Sequence, residues 1–244
     1  MKWKVFLSGY LNDLRELCEV FSSGKICVFK EEERYFLYCD KFENKETDAE
    51  VKNLANKLIK IISGIMIFKK IIHQPIELDF IQMNLKNGKK KNFKYLTGKV
   101  VITTKTSANL QGFNKEGKEI IGKPTHNLIT EYVAKSLDNE EVNKLFDIIL
   151  KENYKWRKLY PILELIQKDF SRRKDEQTVK KGWATKKELR RFKNTSNNPD
   201  IIGLDSRHII KKKGKPSKDK PMPLSEAENL IYRIANHWLN EKLK

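Results

Sequence analysis

The chain has 244 residues, with 50 Lys and Arg against 32 Asp and Glu and a net charge of +18. That length can bury a core without disulfides or metals, and 39% hydrophobic with 34% charged residues describes a folded protein with a heavily charged surface. No apolar run reaches the roughly 18 residues a membrane crossing needs, because lysines at 57, 60, 69 and 70 interrupt the most apolar stretch.

Residues Met1 to Ser8 alternate in the manner of a strand, and Leu11, Leu14, Leu17, Cys18 and Phe21 then recur at helical spacing. Gly24 is placed to end that helix. Lys25 to Phe29 and Arg34 to Cys39 read as a hairpin closed by the acidic turn Glu31-Glu32-Glu33. Thr47 to Glu50 is a capping box, opening a helix with Val51, Leu54, Leu58, Ile61, Ile62 and Ile65 on one face. Gly64 weakens that helix without stopping it. Ile76 to Leu85 and Phe93 to Thr104 are strand-like, with Asn87-Gly88 as a tight turn between them, and Thr106 to Phe113 offers one more short strand. The order β-α-β-β-α-β-β predicts an α+β domain over residues 1–120, a mainly antiparallel sheet with two helices on one face.

Gly117 to Pro124 reads as a linker, and after it the strand signals stop. The remaining 121–244 are expected to form a helical, strongly basic domain. Helical periods run from Thr125 to Ala134, Glu140 to Leu150 and Trp156 to Phe170, the last kinked by Pro161 or beginning near Tyr160. Ser171 to Lys181 is expected to be a flexible connection. Thr185 to Glu188 and Ser225 to Glu228 are two further capping boxes, the second opening a helix that buries Ala227, Leu230, Ile231, Ile234 and Trp238.

The charge is unevenly spread. Ser171 to Lys220 holds 17 Lys and Arg against 6 Asp and Glu, a net +11, and Asn84 to Lys99 holds six lysines and no acid. Clustered cations favour polyanions through counterion release, nucleic acid above all. The expected phosphate contacts are Lys186, Lys187, Arg190, Arg191 and Lys193 as a stripe on one helix. To these are added Lys211, Lys212, Lys213 and Lys215 in a basic loop, and Lys89, Lys90 and Lys91 on the hairpin. Phe93, Tyr95, Trp183 and Phe192 stand near these charges as stacking partners or core.

Cys18, Cys27 and Cys39 show no CxxC spacing, and the histidines at 73, 126, 208 and 237 are too dispersed for a zinc site. No metal and no cofactor are expected. The odd cysteine count without a signal peptide points to the cytoplasm. There is no glycine-rich phosphate loop, G-x-S-x-G or H-E-x-x-H. The sharpest chemical candidate is Arg207-His208, with Asn197 upstream. Arg offers a bidentate fork for phosphate and His moves a proton near neutral pH, which together suffice for metal-independent RNA cleavage. The same pair can instead hydrogen-bond carbonyls and Asp205 and simply lock its loop.

The C-terminal third resembles a poorly characterised prokaryotic family. The shared pattern is carried by Trp183, Arg191-Phe192-Lys193, Asn197, Gly203, Ser206-Arg207-His208, Pro221-Met222, Glu226-Ala227 and Trp238-Leu239. The Trp3 strand and the helix after Thr47 are similar to it too. More distantly, the Asn and Arg-His loop before a Glu-Ala-led helix is similar to HEPN-type helical domains of toxin and antiviral defence systems. Many of those are ribonucleases, although Arg207 and His208 are adjacent where that motif separates them by several residues. The reading that follows is a non-catalytic nucleic-acid-binding subunit, for RNA or DNA, acting with a protein partner in prokaryotic defence or nucleic-acid processing. An Argonaute-associated accessory protein is one instance. The alternatives are a HEPN-like ribonuclease using Arg207 and His208, and an interaction scaffold without a nucleic-acid role.

Overall fold

A computed structural model of the chain describes residues 1–95, 126–151, 155–207 and 219–243. The expected Thr106–Phe113 strand, the end of the Phe93–Thr104 strand and the Gly117–Pro124 linker lie outside them. The chain forms two compact units, one of Met1–Asn56 with Glu77–Glu131 and one of Lys57–Ile76 with Tyr132–Lys244. The division therefore differs from a cut near residue 120. The helix that opens at Asp48 runs on past Asn56, so its second half belongs to the second unit.

The first unit contains β1 (Trp3–Ser8), α1 (Leu11–Val20), β2 (Ile26–Glu31), β3 (Arg34–Cys39), the start of α2 (Asp48–Phe68), β4 (Glu77–Asn84) and β5 (Lys90–Lys94). The sheet order is β2-β3-β1-β4-β5, with every neighbouring pair antiparallel. β1 and β2 are therefore parallel with β3 between them, and β3 and β4 are parallel with β1 between them. Two such crossovers of the usual right hand put α1 and α2 on the same face, the split β-α-β plan. The α+β expectation holds.

Register gives each face its character. On the helix side Val28, Leu37, Val5 and Ile81 stand in line across four strands, none more than 1% exposed. Cys18 on α1 donates to the Val28 carbonyl (3.3 Å), and Tyr95 Oη donates to Asp48 at the start of α2 (2.6 Å). Thr47 caps α2 as expected, Glu50 N donating to its Oγ1 (3.3 Å) while Thr47 N donates to Glu50 Oε2 (3.1 Å). On the other side Phe29, Phe36, Phe6 and Phe80 stand in line, followed by Lys94. Phe6 and Phe80 stack at 4.3 Å, and Phe36 tilts against Phe6 at 5.7 Å.

This second face is concave. Four strand spacings of about 4.8 Å would hold the edges of a flat sheet about 19 Å apart, yet Glu31 on β2 lies 4.0 Å from Lys90 on β5. The curl buries Phe6, Phe36 and Phe80 and leaves Phe29 and Tyr38 half-buried against them. The β4–β5 turn forms where Asn87-Gly88 predicts it. Gly88 adopts a φ of 77°, which glycine accepts without strain, and its N–H donates to the Leu85 carbonyl (3.0 Å).

The second unit is helical: the end of α2, α3 (His126–Ser136) from Tyr132 onward, α4 (Glu140–Lys151), α5 (Lys155–Gln167), α6 (Lys174–Lys180), α7 (Lys186–Ser196), α8 (Pro199–Ile202) and α9 (Leu224–Lys242). Its core gathers Leu145, Phe146, Leu163, Phe192, Ile234 and Trp238, all at most 1% exposed. Three expectations are corrected here. Ser171 to Lys181 is not a flexible connection, since most of it is α6. That helix shows no apolar stripe because polar groups fasten it: buried Thr178 donates to the Lys174 carbonyl (2.8 Å), and Gln167 Nε2 donates to Thr178 (3.1 Å) and Asp175 (2.9 Å). The Ser225 capping box does not form, because α9 already begins at Leu224 with Pro223 as its cap. Of the two readings of Pro161, a helix beginning near Tyr160 is excluded, because α5 spans Lys155–Gln167 with Pro161 inside it.

Candidate nucleic-acid interface

The predicted basic stripe lies on α7. Thr185 caps this helix as the sequence implies, accepting from Glu188 N (3.2 Å) while its own N–H donates to Glu188 Oε2 (2.7 Å). Burial pushes the Glu188 carboxyl up, but the Arg233 guanidinium (2.7 Å) and Thr185 hold it below the usual carboxylate range. The cations on the helix are mostly engaged. Arg190 donates twice to Asp219 (2.7 and 3.0 Å), Arg191 twice to Glu226 (2.5 and 3.1 Å) and once to the Lys220 carbonyl (3.2 Å), and Lys193 donates to both oxygens of Asp175 (2.6 and 2.7 Å). Asp219 is drawn below the usual carboxylate range by Arg190. Lys186 and Lys187 stay exposed. Three of the five stripe residues are thus clamps between chain segments.

Arg207 is held in the same way. Its Nη2 donates to Glu164 (2.6 Å), its Nη1 donates to Tyr160 Oη (3.0 Å), and its guanidinium lies 4.3 Å from the centre of the Tyr160 ring. Tyr160 in turn stacks on buried Phe192. Arg207 lines a cleft of about 300 Å³ with Trp156, Arg157, Tyr160, Glu164 and Asp205. Asn197 ends α7, and its side-chain oxygen is buried without a hydrogen-bond partner. Asn198 caps α8, accepting from Asp200 N (3.0 Å). His208, Lys211, Lys212, Lys213 and Lys215 lie outside the described residues.

The hairpin lysines stand differently. Lys89, Lys90, Lys91 and Lys94 are all exposed, and Lys91 lies 4.8 Å from the centre of the Phe93 ring. Among the described residues, the carboxylate paired with this group is Glu31, 4.0 Å from Lys90 and 2.7 Å from Lys4. The hydrogen bond from Lys4 holds Glu31 below its ordinary range. Of the aromatics singled out by sequence, Trp183 and Phe192 are core residues, while Phe93 packs on Trp3 and Tyr95 is tied to Asp48. Burial raises the Tyr95 hydroxyl well above its usual value, with Asp48 adding to the shift.

Sequence reasoning passes over Gln82 and the aromatic row of the concave face. Gln82 is 7% exposed; its Nε2 donates to Asn92 Oδ1 (3.0 Å), and its Oε1 has no partner among the described residues. Phe6, Phe29, Phe36 and Phe80 lie one to a strand, and only the register aligns them. Among the described residues no three His, Cys, Asp or Glu side chains converge to hold a metal ion, and no helix is long and apolar enough to cross a membrane. Burial pushes the Cys39 thiol up to about 11, away from thiolate chemistry. Compared with protein-family models, curated proteins and solved structures, the chain matches none of them.

Proposed function

We propose that this chain binds nucleic acid as a non-catalytic subunit, acting with a protein partner in prokaryotic defence or nucleic-acid processing. The observation that carries the reading is the cation group at the β4–β5 hairpin: Lys89, Lys91 and Lys94 are exposed, and Lys90, also exposed, meets only Glu31 at 4.0 Å among the described residues. Arg190, Arg191 and Lys193 are engaged by carboxylates, so the hairpin is the better phosphate contact. The defence and partner-dependent part is an expectation from the distant sequence resemblance of the Asn and Arg-His loop to HEPN-type domains of defence systems.

The ribonuclease alternative gains no comparable support, since Arg207 is already bound by Glu164 and Tyr160. The test is a salt titration of binding to a fluorescein-labelled single-stranded RNA, followed by anisotropy and then by a gel run after incubation with EDTA. Replacing Lys89, Lys90 and Lys91 with Gln is expected to lower the slope of log K against log salt by about 2, at about 0.7 per single-strand contact. An unchanged slope refutes the hairpin contact. Cleavage that persists in EDTA and vanishes in His208→Ala would favour the ribonuclease instead.

A further inference from the structure

We infer that the concave, aromatic face of the N-terminal sheet is a binding site for single-stranded RNA. The inference rests on the nucleic-acid reading above and says where on the molecule the bases go.

Three independent features meet on this face. The first is the row Phe29, Phe36, Phe6 and Phe80, with Tyr38 beside it. Unpaired bases stack on aromatic rings, and a sheet that presents rings from neighbouring strands gives successive bases successive platforms. Phe29 and Tyr38 are half-buried, so their rings are reachable, while Phe6, Phe36 and Phe80 form the floor beneath them.

The second is Gln82 on β4, next to Phe80 on the same face. Its bond to Asn92 fixes the amide, and its Oε1 points to no donor among the described residues although the residue is 7% exposed. A buried acceptor without a donor is costly to keep. A base N–H or a ribose 2′-hydroxyl supplies the missing donor, and the 2′-hydroxyl is the group that RNA has and DNA lacks.

The third is an anion position already filled from within. The Glu31 carboxylate lies between Lys4 (2.7 Å) and Lys90 (4.0 Å), which approach from β1 and β5. Lys4 Nζ also sits 4.7 Å from the centre of the Phe36 ring, and the Arg34 guanidinium 5.5 Å from that of Phe80. Lys94 adds a further cation beside Phe80, while Asp40 and Glu43 lie near the Tyr38 end of the face. A phosphate has the charge and the oxygens to take the place of Glu31, so Glu31 acts as a brake on binding.

The test uses the full chain and a fluorescein-labelled mixed-sequence RNA of about twelve nucleotides, within the site sizes of single-strand binding folds, beside DNA of the same sequence. Glu31→Gln is compared with Glu33→Gln, which removes an equal charge from an exposed side chain in the turn. Glu31→Gln is expected to tighten RNA binding severalfold more than Glu33→Gln. Phe29→Leu with Tyr38→Leu keeps the apolar bulk, removes two stacking faces and is expected to weaken binding about tenfold or more. DNA is expected to bind several times more weakly than RNA. Equal effects of the two Glu variants, or wild-type affinity in the leucine variant, overturn the assignment of this face while leaving the nucleic-acid reading intact. Equal affinity for DNA overturns the assignment to RNA. No binding by the wild-type chain at low salt removes both readings. If the leucine variant melts early, the comparison of the two Glu variants decides.

Discussion

Gly64→Ala separates local propensity from packing. Gly64 lies within α2, where alanine is better than glycine by about 1 kcal/mol, so propensity alone predicts a more stable protein. In the fold, however, a Cβ at this position would stand 2.6 Å from Phe146 Cβ and 2.7 Å from its Cγ. Phe146 is fully buried on α4. Because the closest atom is itself a Cβ, no rotation of the ring relieves the contact, and shortening Phe146 to alanine leaves that atom in place. The two helices must move apart. Overpacking of this kind costs about 1–3 kcal/mol, and a clash with an atom fixed to the backbone belongs at the upper end. The net expectation is a loss of about 2 kcal/mol. For a chain of this size that lowers the thermal midpoint by roughly 4–8 °C, measured by far-UV circular dichroism. A rise in the midpoint would mean that propensity wins and that α2 and α4 do not approach as closely as the structure has them.

Arg191→Lys keeps the charge but loses the two-pronged grip on Glu226, so urea denaturation should show a loss of about 1 kcal/mol while RNA affinity stays at the wild-type value. A drop in affinity without a loss of stability would make Arg191 a phosphate ligand after all. Pro161→Ala restores an N–H within α5 and is expected to stabilise the chain by about 1–3 kcal/mol in the same assay; a loss would show that the helix depends on proline there. Acid denaturation tests Glu188. Its folded value is lowered, so its contribution is present above the ordinary carboxyl range of about 4.3 and is lost as pH falls through the lowered value. Glu188→Gln should therefore be less stable than wild type at neutral pH and converge with it as pH falls below the lowered value; a constant gap would rule out the ionised carboxylate as the cause.

The local devices of this fold were legible in the order of residues. Thr47 with Glu50 and Thr185 with Glu188 act three positions apart, and Asn87-Gly88 builds its turn from adjacent residues, so nothing distant had to be known. The alternation and periodicity that gave the α+β plan are local in the same sense. The failures share a cause too. Ser225 with Glu228 looks like the other boxes, but the helix starts two residues early, at Leu224 with Pro223 as its cap, and the neighbouring Glu226 is held by Arg191, 35 positions away. Net charge adds along a sequence, but whether a cation is open to a phosphate depends on what faces it in space. Asp175, Asp219 and Glu226 close off three cations of α7 from separations of 18 to 35 residues. Lys89, Lys91 and Lys94, equally basic on paper, remain exposed at the sheet edge. The concave face required tertiary structure for the same reason. Each of four strands by itself supplies a phenylalanine, but only antiparallel register sets Phe29, Phe36, Phe6 and Phe80 in one line. Only the curl of the sheet brings Glu31 between Lys4 and Lys90, because side chains on separate strands meet where backbone pairing puts them.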